Sequence, residues 1–387
     1  MERAPQPQPP QNQQPTLADL GEWELIHRLG AFAPPGQFSD DAALLAEAGA
    51  GQGCLVVNTD VLVEGIHFSE ATTGPMDVGW RSAAANLSDL AAMGATEVVG
   101  LTVGLVAPAS TPWSWVEGVY QGLGEALRIH GGVLLGGDCS AGAQRLLAIT
   151  ALGRLSGGAG PIRRADGRPG DQLLCTGPHG LSRLGLALLQ GELAQEPSTA
   201  AAAAGARAAW AGWATKGEQP STPDDARETP APALEFPLEP SLIARAIQAH
   251  RRPVPRFDAV HALIACRPGG IAWRVGGCDS SDGLAAAVAA IATASGCAAR
   301  LDRARLPLDP AMAALPPALN WCLNGGEDFE LVLALEPTWA QMVLAALPGS
   351  SLIGELVTGE PGQLGWADGT AWDTDNAASA PGYSHFR

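Results

Sequence analysis

Aspartates in apolar company carry the first chemical signal of this sequence. Asp40-Asp41 precede Ala42-Ala43-Leu44-Leu45, and Asp60 closes the run Cys54-Leu55-Val56-Val57-Asn58-Thr59. Asp89 sits in Asn86-Leu87-Ser88-Asp89-Leu90, and Asp138 follows Gly136-Gly137. Asp279 and Asp282 frame Asp279-Ser280-Ser281-Asp282-Gly283. Burying a carboxylate without a partner is expensive. A hard cation offsets that expense, and Mg²⁺ does so through one or two carboxylates while leaving its other positions to water and phosphate oxygens. Glycines beside the acids let a phosphate approach the backbone. Taken singly, Asp282 reads equally well as a helix cap, and Gly-Gly-Asp after a strand is often only a turn. Taken together, the pattern points to metal–nucleotide chemistry.

Composition narrows the choice. The chain has 387 residues, room for two domains, and its 23 Lys+Arg against 40 Asp+Glu give a net charge of −17. That balance argues against a protein that tracks a nucleic-acid backbone. Lys216 is the only lysine, so a Walker-A grip or a Schiff base has almost nowhere to form. Arg164, in Arg163-Arg164-Ala165-Asp166-Gly167-Arg168-Pro169-Gly170-Asp171, is the candidate phosphate clamp. The seven cysteines are odd in number and lack a C-x-x-C pair, which predicts no disulfide framework and a cytoplasmic setting. No secretory signal or membrane span is expected.

The elements that must position these groups alternate between α and β. Residues 1–16, Pro/Gln-rich, read as a disordered tail. A helix starts near Leu17, with Leu20, Trp23, Leu25, Ile26 and Leu29 on one face. Short apolar runs at Cys54–Val57, Gly132–Leu135 and Asp171–Gly177 read as buried strands with polar residues at their ends. Helical patterns cover Val78–Met93, Trp113–His130, Leu181–Gln190 and Leu284–Ala299. The Ala- and Pro-rich segment at about 191–240 reads as a flexible insertion with one Ala-rich helix at 200–213. The expected organisation is an N-terminal metal- and ATP-binding domain at 17–160 and a C-terminal domain at 161–387, each α/β.

Several motifs resemble the thiamine-monophosphate kinase family. They are Gly21-Glu22-Trp23-Glu24-Leu25-Ile26, Asp40-Asp41-Ala42-Ala43, and Asn58-Thr59-Asp60-Val61-Leu62-Val63-Glu64-Gly65-Ile66-His67-Phe68. Also similar are Ala85-Asn86-Leu87-Ser88-Asp89-Leu90-Ala91-Ala92-Met93-Gly94-Ala95, Gly136-Gly137-Asp138, Asp279-Ser280-Ser281-Asp282-Gly283-Leu284, Gly325-Gly326-Glu327-Asp328-Phe329-Glu330 and Gly382-Tyr383-Ser384-His385-Phe386. The resemblance implies a two-domain fold of the aminoimidazole-ribonucleotide-synthetase type, a homodimer paired through its N-terminal sheets, and ATP-dependent phosphorylation of thiamine monophosphate to the diphosphate. It assigns several Mg²⁺ ions to Asp41, Asn58, Thr59, Asp60, Asp89, Asp138, Asp279 and Asp282. ATP falls to Gly137, Arg164 and Ser281, and thiamine monophosphate to His67, Glu327 and Tyr383. The acceptor is itself a phosphate, so no general base is assigned.

Departures from the family pattern are few. Asn58 stands where the family favours Ser or Thr, Ala141 cannot contact phosphate, and Leu181 replaces a common aspartate. They keep two alternatives open: another ATP-using synthetase of the aminoimidazole-ribonucleotide-synthetase type, or an inactive Mg-nucleotide-binding module.

Overall fold

The computed structural model describes residues 15–36, 38–46, 54–155, 158, 160–193, 238–370 and 372. Nearly all of the expected tail, most of the insertion with its Ala-rich helix, and Tyr383 lie outside the described residues.

Helix α1 (Leu17–Leu29) opens on a capping box: Thr16 N–H donates to Asp19 Oδ2 at 2.8 Å and Asp19 N–H donates to Thr16 Oγ1 at 3.3 Å. Its apolar face, expected to pack, contains no buried residue, and Trp23 and Leu29 stay exposed.

The first sheet contains β1 (Ala43–Ala46), β2 (Cys54–Val63), β3 (Glu97–Ala107), β4 (Val133–Ala141) and β5 (Leu146–Leu155) in the order β1-β2-β5-β3-β4. Only β3 and β4 pair in parallel, joined through α3 (Trp113–His130). β5 alternates buried and half-buried residues along its length, the signature of a sheet with one covered face. Helix α2 (Pro75–Ala92) covers it, and α3 packs on α2 with almost no separation. A Cβ at Gly79 would come within 1.9 Å of the Val119 carbonyl, and one at Gly122 within 1.9 Å of the Met76 carbonyl, so both must be glycine.

Two strands run further than the apolar pattern suggested. β2 continues through Val63 and β4 through Ala141, so Asp60 and Asp138 lie inside strands rather than beyond their ends. Backbone pairing decides this: all ten residues of β2 pair with β5, whatever their polarity.

The second sheet contains β6 (Gln172–Cys175), β7 (Gly276–Asp279), β8 (Ala298–Leu301), β9 (Leu331–Leu335), β10 (Ser351–Val357) and β11 (Leu364–Trp366), ordered β11-β8-β10-β6-β9-β7. Around it lie α4 (Leu181–Gln190), α5 (Pro240–Arg251), α6 (Phe257–Ala265), α7 (Leu284–Ala294), α8 (Ala318–Asn324) and α9 (Pro337–Ala346). Helix α7 stops at Ala294, short of the expected Ala299, because Gly296 takes φ 64° and the chain enters β8. One apolar core joins the two sheets, running from Val56, Leu87 and Ile149 to Leu174, Leu333 and Trp339. Among the described residues no helix is long and apolar enough to cross a membrane.

Candidate active site

Helix α2 lies between the two sheets, touching β2 and β5 on one side and β7 on the other. This brings together acids that the sequence keeps far apart. Asn58 on β2 donates from Nδ2 to Asp89 Oδ2 on α2 at 2.7 Å. Asp60 offers its backbone N–H to Asn86 Oδ1 at 3.2 Å. Asp279, at the end of β7, accepts from Ser88 Oγ at 2.7 Å and from Ser281 Oγ at 2.9 Å, and donates its own N–H to Asp41 Oδ2 at 3.2 Å. Arg164 closes the group: its guanidinium pairs with Asp41, and its backbone N–H donates to Asp40 Oδ1 at 2.9 Å. Arg164 is thus a partly buried ion-pair partner rather than a surface loop residue.

The electrostatics describe a crowded anionic site. Burial pushes Asp89 well above the usual carboxylate range, and Asp60, Asp279 and Asp41 push it the same way. Burial lifts Asp41 to about 7 against the pull of Arg164, with Asp279 adding to the rise. Asp282 is raised to about 6 by burial, by Asp279 and by Glu22 of α1. Asp282 does not cap α7, whose N-cap is Gly283 with φ 110° and no side-chain cap bond.

The donor set suits Mg²⁺. It consists of hard oxygens, and the Asn58 Oδ1 atom is buried without a hydrogen-bond partner. Among the described residues no three His, Cys, Asp or Glu side chains converge into a ready-made metal cage. An ion held by one or two carboxylates, with water and phosphate filling its other positions, matches such an open arrangement.

Other expected site residues stand apart from this cluster. Thr59 points to the opposite face of the sheet, where its hydroxyl meets Thr150 Oγ1 at 2.8 Å. Asp138 and Gly137 lie on the exposed edge strand β4. The ladder runs Val61↔Ala148↔Gly104↔Asp138, which puts Asp138 on the face of Val61, opposite to Asp60. His67 accepts from the Val63 N–H through Nδ1 at 2.9 Å and closes the turn after β2. Glu327 is paired with Arg81 of α2 at 2.5 Å. It lies in a loop where Glu327 and Phe329 take φ of 58° and 51°, conformations costing about 1–3 kcal/mol each for residues other than glycine. The neighbouring Asp328 caps α4, accepting from Gly180 N at 2.7 Å and Ser182 N at 3.0 Å.

The structure adds residues the sequence reading left out. Asn86 and Ser88 bind the cluster and share a helix with Asp89, so their polarity within an apolar helix was a usable signal. His179, fully buried, meets Ser280 Oγ at 2.8 Å. Burial holds its pKa down at about 4, so the ring is neutral near pH 7. Its other nitrogen, Nδ1, lies 3.3 Å from the Gly177 carbonyl, so the ring bridges two loops. No local pattern marks His179 or His250.

The family model "AIR synthase related protein, N-terminal domain" matches residues 39–155. The chain is 41% identical over 379 residues to the thiamine-monophosphate kinase of Prochlorococcus marinus, covering 97% of this chain and 99% of that protein. It is also 41% identical to the Synechococcus elongatus enzyme of the same name, covering 96% and 98%. The fold is shared with the solved structure of AaThiL complexed with AMPPCP and TMP, at TM-score 0.70 and 24% identity over 96% of this chain and 99% of that one.

Proposed function

We infer, from the premise that this chain belongs to the thiamine-monophosphate kinase family, that it transfers the γ-phosphoryl group of ATP to thiamine monophosphate, making thiamine diphosphate. The observation that carries the site assignment is the buried acidic cluster, with its unpartnered Asn58 oxygen and a single arginine. Asp41, Asn58, Asp60, Asp89 and Asp279 are the proposed Mg²⁺ ligands, with Asp282 at their margin. Bound Mg²⁺ would neutralise phosphate charge during an in-line transfer. Arg164, whose Nε is buried without a partner, would turn from Asp41 toward a phosphate oxygen. Ser281, whose hydroxyl and N–H both donate to Asp279 Oδ1, would turn these donors to ATP. Glu327, His67 and Tyr383 are assigned to the thiamine phosphate.

Thr59, Gly137 and Asp138 are assigned to the site of a second copy. Every residue of β4 is exposed, including Val133, Leu134 and Leu135, and β4 is an edge strand. An edge of that length with apolar side chains calls for a partner. In a two-fold homodimer built on the β4 face, Asp138 of one copy would complete the acidic cluster of the other. All seven cysteines are free, which fits the cytoplasm.

The test is turnover of the purified chain with ATP, Mg²⁺ and thiamine monophosphate, with thiamine and aminoimidazole precursors as parallel substrates. Diphosphate formed from the monophosphate alone and abolished by EDTA is the expected result. ATP binding without product from any of them would overturn it.

A further inference from the structure

Arg81 is the only cation of α2, and its side chain is 3% exposed. Its counter-ion comes from across the molecule: Nη2 lies 2.5 Å from Glu327 Oε1. Nη1 donates to the backbone carbonyl of His250 and lies 3.5 Å from that ring's Nδ1. The same Nδ1 is 3.6 Å from the other Glu327 oxygen, Oε2. Burial, with Arg81 close by, holds the His250 pKa well below its ordinary value, so this ring is a neutral neighbour and Glu327 alone balances the arginine. A buried cation of this kind is tolerated only while its partner stays in place.

Glu327 is constrained from both ends. Its backbone N–H donates to the Ser281 carbonyl at 2.7 Å, directly in the Asp279–Asp282 segment. Its backbone is held at φ 58°. Yet its side chain remains 34% exposed, so the carboxylate is fixed at its root and open at its tip. Arg81 also stands on the helix that carries Asn86, Ser88 and Asp89, so one rigid element sets both the acidic cluster and the orientation of this carboxylate.

We propose that Arg81 is a positioning residue for the acceptor substrate. It holds the Glu327 carboxylate in one orientation, with its outward lone pairs set to accept from the aminopyrimidine of thiamine monophosphate, and it ties that contact to the helix bearing the metal ligands. The inference rests on reading Glu327 as a substrate contact. Arginine suits the task because its planar fork reaches Glu327 and the His250 carbonyl at once, whereas a lysine supplies a point charge.

The test is steady-state kinetics on the full chain, varying thiamine monophosphate and ATP separately. Arg81→Gln is expected to raise KM for thiamine monophosphate about tenfold, the loss of one charge-assisted contact, with KM for ATP within about twofold. Arg81→Lys falls between wild type and Arg81→Gln. In a Glu327→Gln background, Arg81→Lys adds nothing further, since both changes remove the same positioned carboxylate. Should Arg81→Gln not fold, Arg81→Lys and the Glu327→Gln pair carry the test. An unchanged KM for the acceptor, equal rises in both KM values, or additive effects in the double variant would overturn the inference. A wild-type chain that makes no diphosphate would instead overturn the functional reading beneath it.

Discussion

Thirteen of the eighteen residues of α2 are buried, whereas all nine residues of β4 are exposed, although each element carries one acid of the expected site. On α2, Asp89 has Asn58 as a partner and three neighbouring aspartates, all within this chain. On β4, Asp138 shares a face with Val61 and looks away from that cluster. The two elements differ in what completes them. Helix α2 is enclosed by two sheets and α3, so its acid finds its neighbours inside one copy. Strand β4 has an unpaired edge and exposed leucines, and in the proposed dimer a second copy would complete its chemistry.

The largest expected effect divides the two elements by activity in mixtures. Asp60→Asn and Asp138→Asn should each reduce turnover by about a thousandfold, the scale of losing a metal-positioned charge in phosphoryl transfer. Refolding the two inactive variants together should restore about a quarter of wild-type turnover, because half the dimers are mixed and one of their two sites is intact. No restoration would place Asp138 in the site of its own copy and break the contrast. Next, Val133→Glu, on the face of Asp138, should move the solution mass from twice 39.6 kDa to 39.6 kDa and lower turnover with it. Light scattering reads this directly.

A smaller effect separates the two acids by stability. Asp89→Asn replaces an acid whose ionisation burial and three neighbouring aspartates disfavour, and should raise the metal-free Tm by roughly 2 °C or more, while abolishing turnover. Asp138→Asn, on an exposed strand, should leave Tm unchanged. A lower Tm in Asp89→Asn would show that the cluster is balanced without metal. The smallest effect is a change of slope. Burial raises Asp328 to about 7 in the folded chain, above the roughly 3.9 of an unfolded aspartate. Between those values the folded state holds the extra proton, so this group's stabilisation is present at low pH and is lost as pH rises through about 7. In Asp328→Asn the decline of Tm between pH 5 and pH 8 should therefore be shallower than in wild type.

Helices α2, α3 and α4 were legible from apolar periodicity, α3 and α4 to the residue, because each has a buried face and a clean start. Helix α1 shows how periodicity misleads: it has the apolar repeat but no surface in this chain to bury it against. The extents of β2 and β4 were not legible, since strand pairing continues through polar residues wherever a neighbour supplies donors and acceptors. Among site residues, the acids stood out because carboxylates are rare in apolar text. Arg81, His179 and His250 did not, because each is explained only by a partner distant in sequence.

The sequence by itself determined the chemistry on offer: many carboxylates, one lysine, an arginine beside a turn, and motifs sufficient to name a family. Those follow from residue type and local order. Tertiary structure alone decided which acids meet, with Asp41, Asn58, Asp60, Asp89 and Asp279 gathered around one helix and Thr59 and Asp138 turned to the other face. The physical reason is that side-chain direction in a strand alternates at every residue, so facing depends on register and on which strands become neighbours. Both are properties of the assembled sheet.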